Sequence, residues 1–101
     1  NFIKEKVPEH KEIDIKIFKD IPGFKLFPHE DAPHHKAFLM FNLTNNIDST
    51  MFYDAEKKFL CKGPNKKNKG VFHILRTKPP ILHAIENTSN KNRYTAIAFI
   101  K

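Results

Sequence analysis

Between Lys57 and Lys69 the chain reads KKFLCKGPNKKNK, which holds Lys57, Lys58, Lys62, Lys66, Lys67 and Lys69 and no acid. Ammonium groups at that density attract phosphate, in lipid headgroups or in nucleic acid, with a strength that falls as salt screens them. The chain as a whole has 18 Lys+Arg against 11 Asp+Glu and a net charge of +7, so almost all of the excess sits in this one segment, read here as a hairpin. Arginine occurs only as Arg76 and Arg93. A lysine cluster of this kind suits diffuse attraction to an anionic membrane surface or an acidic protein better than bidentate reading of bases. Nucleic acid is the weaker alternative, because a single-strand binder stacks bases on exposed rings, and only Phe59 and Phe72 lie near the lysines.

Histidine is the second enrichment. His29, His34 and His35 share one loop with Glu30 and Asp31. Neutral imidazoles and carboxylates ligate zinc, and three such groups around one open position make a catalytic type of site. The spacing HxxxxHH matches no helix-face motif, however, and adjacent His34 and His35 point apart in an extended segment, so the loop reads as surface histidines and no cofactor is called for, with a metal-binding protein built on His29, His34 and His35 as a further alternative. His73 and His83 fall inside apolar runs and are read on the wet faces of their strands. Cys61 is the single cysteine; with no partner and no nucleophile signature around it, it is read as a strand cysteine in a reducing compartment. Three glycines exclude a glycine-rich phosphate cradle, and no hydrolase elbow or calcium loop is present. No enzymatic activity and no small-molecule substrate is expected. The sequons Asn42-Leu43-Thr44 and Asn87-Thr88-Ser89 are taken as accidental in an Asn-rich chain.

The elements that must position these groups read as strands. A chain of 101 residues, 40% hydrophobic with ten Phe, allows one domain and one core over residues 1–101, with residues 1–10 irregular. Ile13, Ile15 and Ile17 alternate with charges, the period of a strand with one face buried. Ile21-Pro22-Gly23 marks a turn, and a short strand follows over residues 24–27. Residues 28–33 read as a loop. The apolar run 37–43 favours a strand, although Asp31 and Pro33 could open a helix before it. Short strands over 50–53, 58–62, 71–76, 81–85 and 94–100, separated by turn chemistry, suggest a small, mostly β antiparallel meander, barrel-like or folded as a curved sandwich, with at most one short helix. Ile13, Ile15, Ile17, Phe24, Leu26, Phe38, Met40, Phe52, Leu60, Phe72, Ile74, Leu82, Ile85, Ile97 and Phe99 form the expected core. No run approaches the roughly 20 apolar residues of a membrane-spanning helix. The opening Asn1 and a strand that runs to Ile100 suggest a domain excised from a longer parent.

The Lys/Asn texture of PNKKNKG and NTSNKNRY around compact Phe/Ile strands resembles proteins of AT-rich apicomplexan genomes. Within that group the chain resembles, in size and strand density, the C-terminal domain of immune-mapped proteins. The resemblance implies a membrane-associated surface antigen, anchored through an acylated N-terminus of its parent, with no established activity. Taken together, the expectation is a non-enzymatic interaction domain at the cytoplasmic face of a membrane, with the lysine segment as its electrostatic contact.

Overall fold

A computed structural model describes residues 2–31, 33–46 and 48–101, with side chains for all of these except Phe2 and Ile3. The elements are α1 (Phe2–Lys6), β1 (Ile13–Asp20), β2 (Lys25–His29), β3 (Ala37–Asn42), β4 (Met51–Tyr53), β5 (Phe59–Lys62), β6 (Gly70–Ile74), β7 (Leu82–Glu86) and β8 (Arg93–Ile100). They form two four-stranded antiparallel sheets, ordered β1-β8-β3-β6 and β2-β7-β4-β5, packed as a sandwich. The mostly β, two-sheet architecture is the one expected. Its connectivity is not a meander: β1 pairs with β8, β2 with β7, β3 with β6 and β4 with β5, so the chain is one long hairpin folded across two sheets. The segment expected to be irregular over 1–10 contains α1; Asn1 of that segment and Ala32 of the expected loop lie outside the described residues. Among the described residues no helix starts at Asp31, and 37–42 is a strand.

Register decides the core. Phe38 and Met40 of β3, Val71 of β6, Ile97 and Phe99 of β8, Phe52 of β4, and Leu75 and Ile81 meet between the sheets. The isoleucine alternation in β1 is real, but its face is the opposite of the expected one. Ile15 and Ile17 are 70% and 71% exposed, while Phe18 and Asp20 face inward, because Ile15 pairs with Ala98 and Ile17 with Ala96 on the outer side of β8. Ile13, Leu60 and Ile74 are likewise exposed, and Phe72 is only half-buried, under Val7 on the outer side. A shift of one position swaps every side chain between faces, which is why the alternation alone could not place them.

The turns follow their local chemistry. Gly23 takes φ 85°, and its N–H donates to the Asn87 carbonyl at 2.8 Å. Asp54 accepts the N–H groups of Glu56 and Lys58 at 2.9 and 2.8 Å, closing the β4-β5 turn with Lys57 at φ 66°. The two sequon asparagines are both buried: Asn42 donates to the Pro64 and Lys66 carbonyls, and Asn87 to those of Asp20 and Lys91. The lysine segment is not one hairpin. Lys57 and Lys58 lie in the β4-β5 turn, Lys62 ends β5, and Lys66, Lys67 and Lys69 lie where the chain crosses to the other sheet, tied down by Asn42 and Asn45. All six are exposed.

Candidate metal centre

His29 faces inward because of a bulge. Leu26 pairs with Ile85 and His29 with His83, so β2 spends three positions where β7 spends two. In regular register Pro28 would sit opposite His83 and His29 would point to water. β2 is an edge strand, which tolerates a proline and the missing ladder bond. His83 itself lies on the inner face of β7, paired with Phe52 of β4, and is buried. The wet-face reading of His83 and His73 is therefore corrected: both turn into the sandwich, with His73 between Phe38 and Phe52 and 5.6 Å, ring to ring, from His83.

Asp31 is the pivot. Its Oδ1 lies 3.2 Å from His83 Nε2 and 3.7 Å from His29 Nε2, and its Oδ2 lies 3.8 Å from His35 Nδ1. One atom from each of His29, Asp31 and His83 falls within 4.8 Å of the other two. Ligands about 2.0–2.1 Å from a tetrahedral ion are roughly 3.4 Å apart, so small rotations would gather these three around one ion. His29 is already prepared for that. Its Nδ1–H donates to the Phe27 carbonyl at 2.7 Å, which leaves the Nε2 lone pair directed at the site. His83 presents Nε2 to Asp31, while its Nδ1, on the other side of the ring, has no partner among the described residues. The donor set thus fits a divalent transition ion.

The loop is fixed by Arg76. Its Nη1 donates to Glu30 Oε1 and its backbone N–H to Glu30 Oε2, each at 3.0 Å; Nε donates to the His35 carbonyl at 3.3 Å and Nη2 to the Asp31 carbonyl. Arg76 sits at φ 62°, a conformation costing about 1–2 kcal/mol for a residue with a side chain, and these bonds offset it. Burial pushes the Asp31 carboxyl up, but the His83 hydrogen bond and the charges of His83, His29 and His35 outweigh it and hold the carboxyl below its ordinary range. Burial and the charge of His83 push His73 down against a hydrogen bond that its ring donates to the Ile81 backbone, and burial and His34 push His35 down against Asp31.

The triad opens onto a cavity of about 240 Å³ between the sheets, lined by Phe18, Phe24, Leu26, Met40, Ile85 and Ile97 among others. Asp20, Thr50 and Thr95 line the same cavity toward its far end, about 13 Å along β8 from Phe99 at the rise of a strand. Behind them the buried Arg93 donates from Nη1 to Asp20 Oδ2 at 2.9 Å and from Nη2 to Thr50 Oγ1 at 3.2 Å. Of the three loop histidines singled out by sequence, His29 and His35 approach Asp31, while His34 is exposed and stacks on His35, with ring centroids 4.4 Å apart. His83 is the member of the triad that the sequence did not point to, since nothing local marks its face.

No family model and no curated protein matches the chain. Solved structures do. A cupin domain from Bordetella pertussis Tohama I superposes with a TM-score of 0.58 at 12% identity, over 92% of this chain and 85% of that one. A predicted oxalate decarboxylase from Thermotoga maritima superposes with a TM-score of 0.55 at 19% identity, over 97% of this chain and 72% of that one. The architecture is therefore the cupin β sandwich, at identities that carry the fold alone. Nothing in these comparisons bears on the immune-mapped resemblance. They do correct the expectation of a non-enzymatic domain: a predicted oxalate decarboxylase has a similar fold, and the sandwich holds a ligand-type triad on an apolar pocket.

Proposed function

We propose that the domain binds a divalent first-row transition ion through His29, Asp31 and His83 and acts as a metal-dependent enzyme on a small, largely apolar molecule in the adjoining pocket. The observation that carries this reading is the convergence of two imidazoles and one carboxylate, from β2, the loop after it and β7, on the wall of a largely apolar cavity. A two-histidine, one-carboxylate set with positions left open suits Fe(II) among the candidate ions. When bound, such an ion supplies Lewis-acid polarisation of a substrate oxygen. The chain's own groups do the rest. The Phe27 carbonyl fixes the His29 tautomer, Arg76 and Glu30 hold the Asp31 loop, and the aromatic and aliphatic lining excludes water. The cationic side chain behind the pocket, Arg93, is neutralised by Asp20, so the cavity favours a molecule with one oxygen donor over a small dianion.

Metal analysis of tag-free protein, followed by titration with Fe(II), Mn(II) and Zn(II), tests the reading. One ion per chain is expected, with affinity reduced about 100-fold or more in Asp31→Asn and in His83→Gln. Failure of all three ions to bind the wild type overturns it.

The six exposed lysines favour a second, compatible reading as an electrostatic contact to an anionic partner, with the cytoplasmic face of a membrane the first choice. Among the described residues only Lys58 of the six has a carboxylate partner, Glu56 at 3.6 Å. Each lysine near an anionic membrane contributes about 1 kcal/mol, which gives modest, reversible attachment. Replacing Lys66, Lys67 and Lys69 by Gln should abolish salt-sensitive binding to anionic vesicles; undiminished binding in that variant rejects the reading.

A further inference from the structure

We infer that the outer face of the β1-β8-β3-β6 sheet is the contact surface of a face-to-face homodimer. The register places Ile13, Ile15 and Ile17 of β1, Ala96, Ala98 and Ile100 of β8, Ala37, Leu39 and Phe41 of β3, and Gly70, Phe72 and Ile74 of β6 on this one side. No polar side chain occurs in that block of twelve, and the paired Lys19 and Tyr94 border it on the same side. The chain covers one end of it itself: Val7, after α1, is buried against Ala37, Ile100 and Phe72. Ile13 and Ile74 remain exposed on either side of that cover, and Ile15, Ile17 and Phe41 beyond it. Together they show on the order of 500 Å², toward the upper end of the roughly 300–600 Å² of a monomer's largest apolar patch and a little over half of the roughly 800 Å² per partner of a stable interface.

The character of the face selects the occupant. Its only polar groups, Lys19 and Tyr94, stand together at one end, so most of the face offers a foreign partner only shape, whereas an apolar sheet face can pack on its own copy across a two-fold axis. Phe41 completes the surface. A side chain at position 70 would collide with the Met40 carbonyl and the Phe41 ring, so glycine there lets the ring lie down over β6. An axis running across the strands would set β1 of one copy over β1 of the other and place the two lysine-bearing loops 63–69 at opposite ends, which keeps like charges apart.

Sedimentation of the whole chain across a range of micromolar concentrations tests this. The wild type should run at twice the 11.8 kDa chain mass. Ile15→Lys combined with Ile17→Lys should run as a monomer with unchanged far-ultraviolet circular dichroism and unchanged metal titration. If the lysine pair fails to fold, Ile15→Thr with Ile17→Thr keeps strand propensity and should still raise the dimer dissociation constant at least tenfold. A wild type that stays monomeric overturns the inference, including one that is monomeric and partitions onto lipid vesicles. So does a dimer that persists in the folded lysine variant, because edge-to-edge pairing of β1 would survive those substitutions.

Discussion

The two faces of the β1-β8-β3-β6 sheet share four strands and divide their side chains in opposite ways. The face turned into the sandwich carries Asp20, Arg93, Thr95, Asn42 and His73 among its hydrophobic residues, and each of these five is buried. The outward face carries hydrocarbon over most of its area, with Lys19 and Tyr94 at one end, and much of it meets water. A sheet that served stability alone would be the other way round. The difference teaches that the interior here is a place for polar groups that need low dielectric and fixed geometry, while the hydrophobic surplus is placed where a second surface can cover it.

The comparison is broken most sharply at the buried ion pair. Asp20→Asn leaves Arg93 charged and nearly without water, and should lower stability by about 3–5 kcal/mol in urea unfolding. A loss below about 1 kcal/mol would mean that this end of the inner face is effectively wet. Next in size is the clamp on the metal loop: Arg76→Gln removes the Glu30 and Asp31 contacts and should weaken ion binding about 10- to 100-fold, with little change in the melting temperature of the ion-free protein.

A smaller effect comes from protonation of the ion-free protein. His73 and His35 have folded-state values below their ordinary 6.5, so in that window the unfolded chain binds protons that the folded chain does not. Stability should be full above about pH 6.5, fall as pH drops toward the lowered values, and stop falling once the folded imidazoles protonate. His73→Leu should flatten part of that fall when melting temperatures are compared near pH 7 and pH 5. Asp31 acts lower down. Its contribution is complete above the ordinary 3.8 and disappears as pH passes through the depressed folded value. The smallest effect is expected outside: Ile15→Thr should change the stability of dilute protein by no more than about 0.5 kcal/mol, because its side chain has little to lose there.

What the sequence disclosed follows from the range of the forces involved. The strand at Ile13 to Ile17, the Ile21-Pro22-Gly23 turn and the 37–42 strand were legible because alternation, fixed φ and apolar run length act over a few residues. The loop cluster was visible too, but it reads as surface histidines around His29, His34 and His35, and the approach of His29 and His35 to Asp31 was not foreseen. The facing of β1 was not legible, since it depends on pairing Ile15 with Ala98, far along the chain. Nor was the inward turn of His29, which rests on one extra residue in β2, or the arrival of His83, 54 positions away in the chain. The lysines were read correctly as a charge excess, but their division between two ends of β5 is a matter of topology.

The nested pairing also sets an order in time. Only the β4-β5 turn closes locally; β3-β6, β2-β7 and β1-β8 each join ends that the inner pairs have already brought near. A chain dominated by such distant contacts folds in milliseconds to seconds, and the cheapest route zips outward from residues 54–58. On that route His29 meets His83 before β1 docks. The ion site is then the penultimate event of folding, and the isoleucine strand, last to arrive, finishes the surface on which two chains can meet.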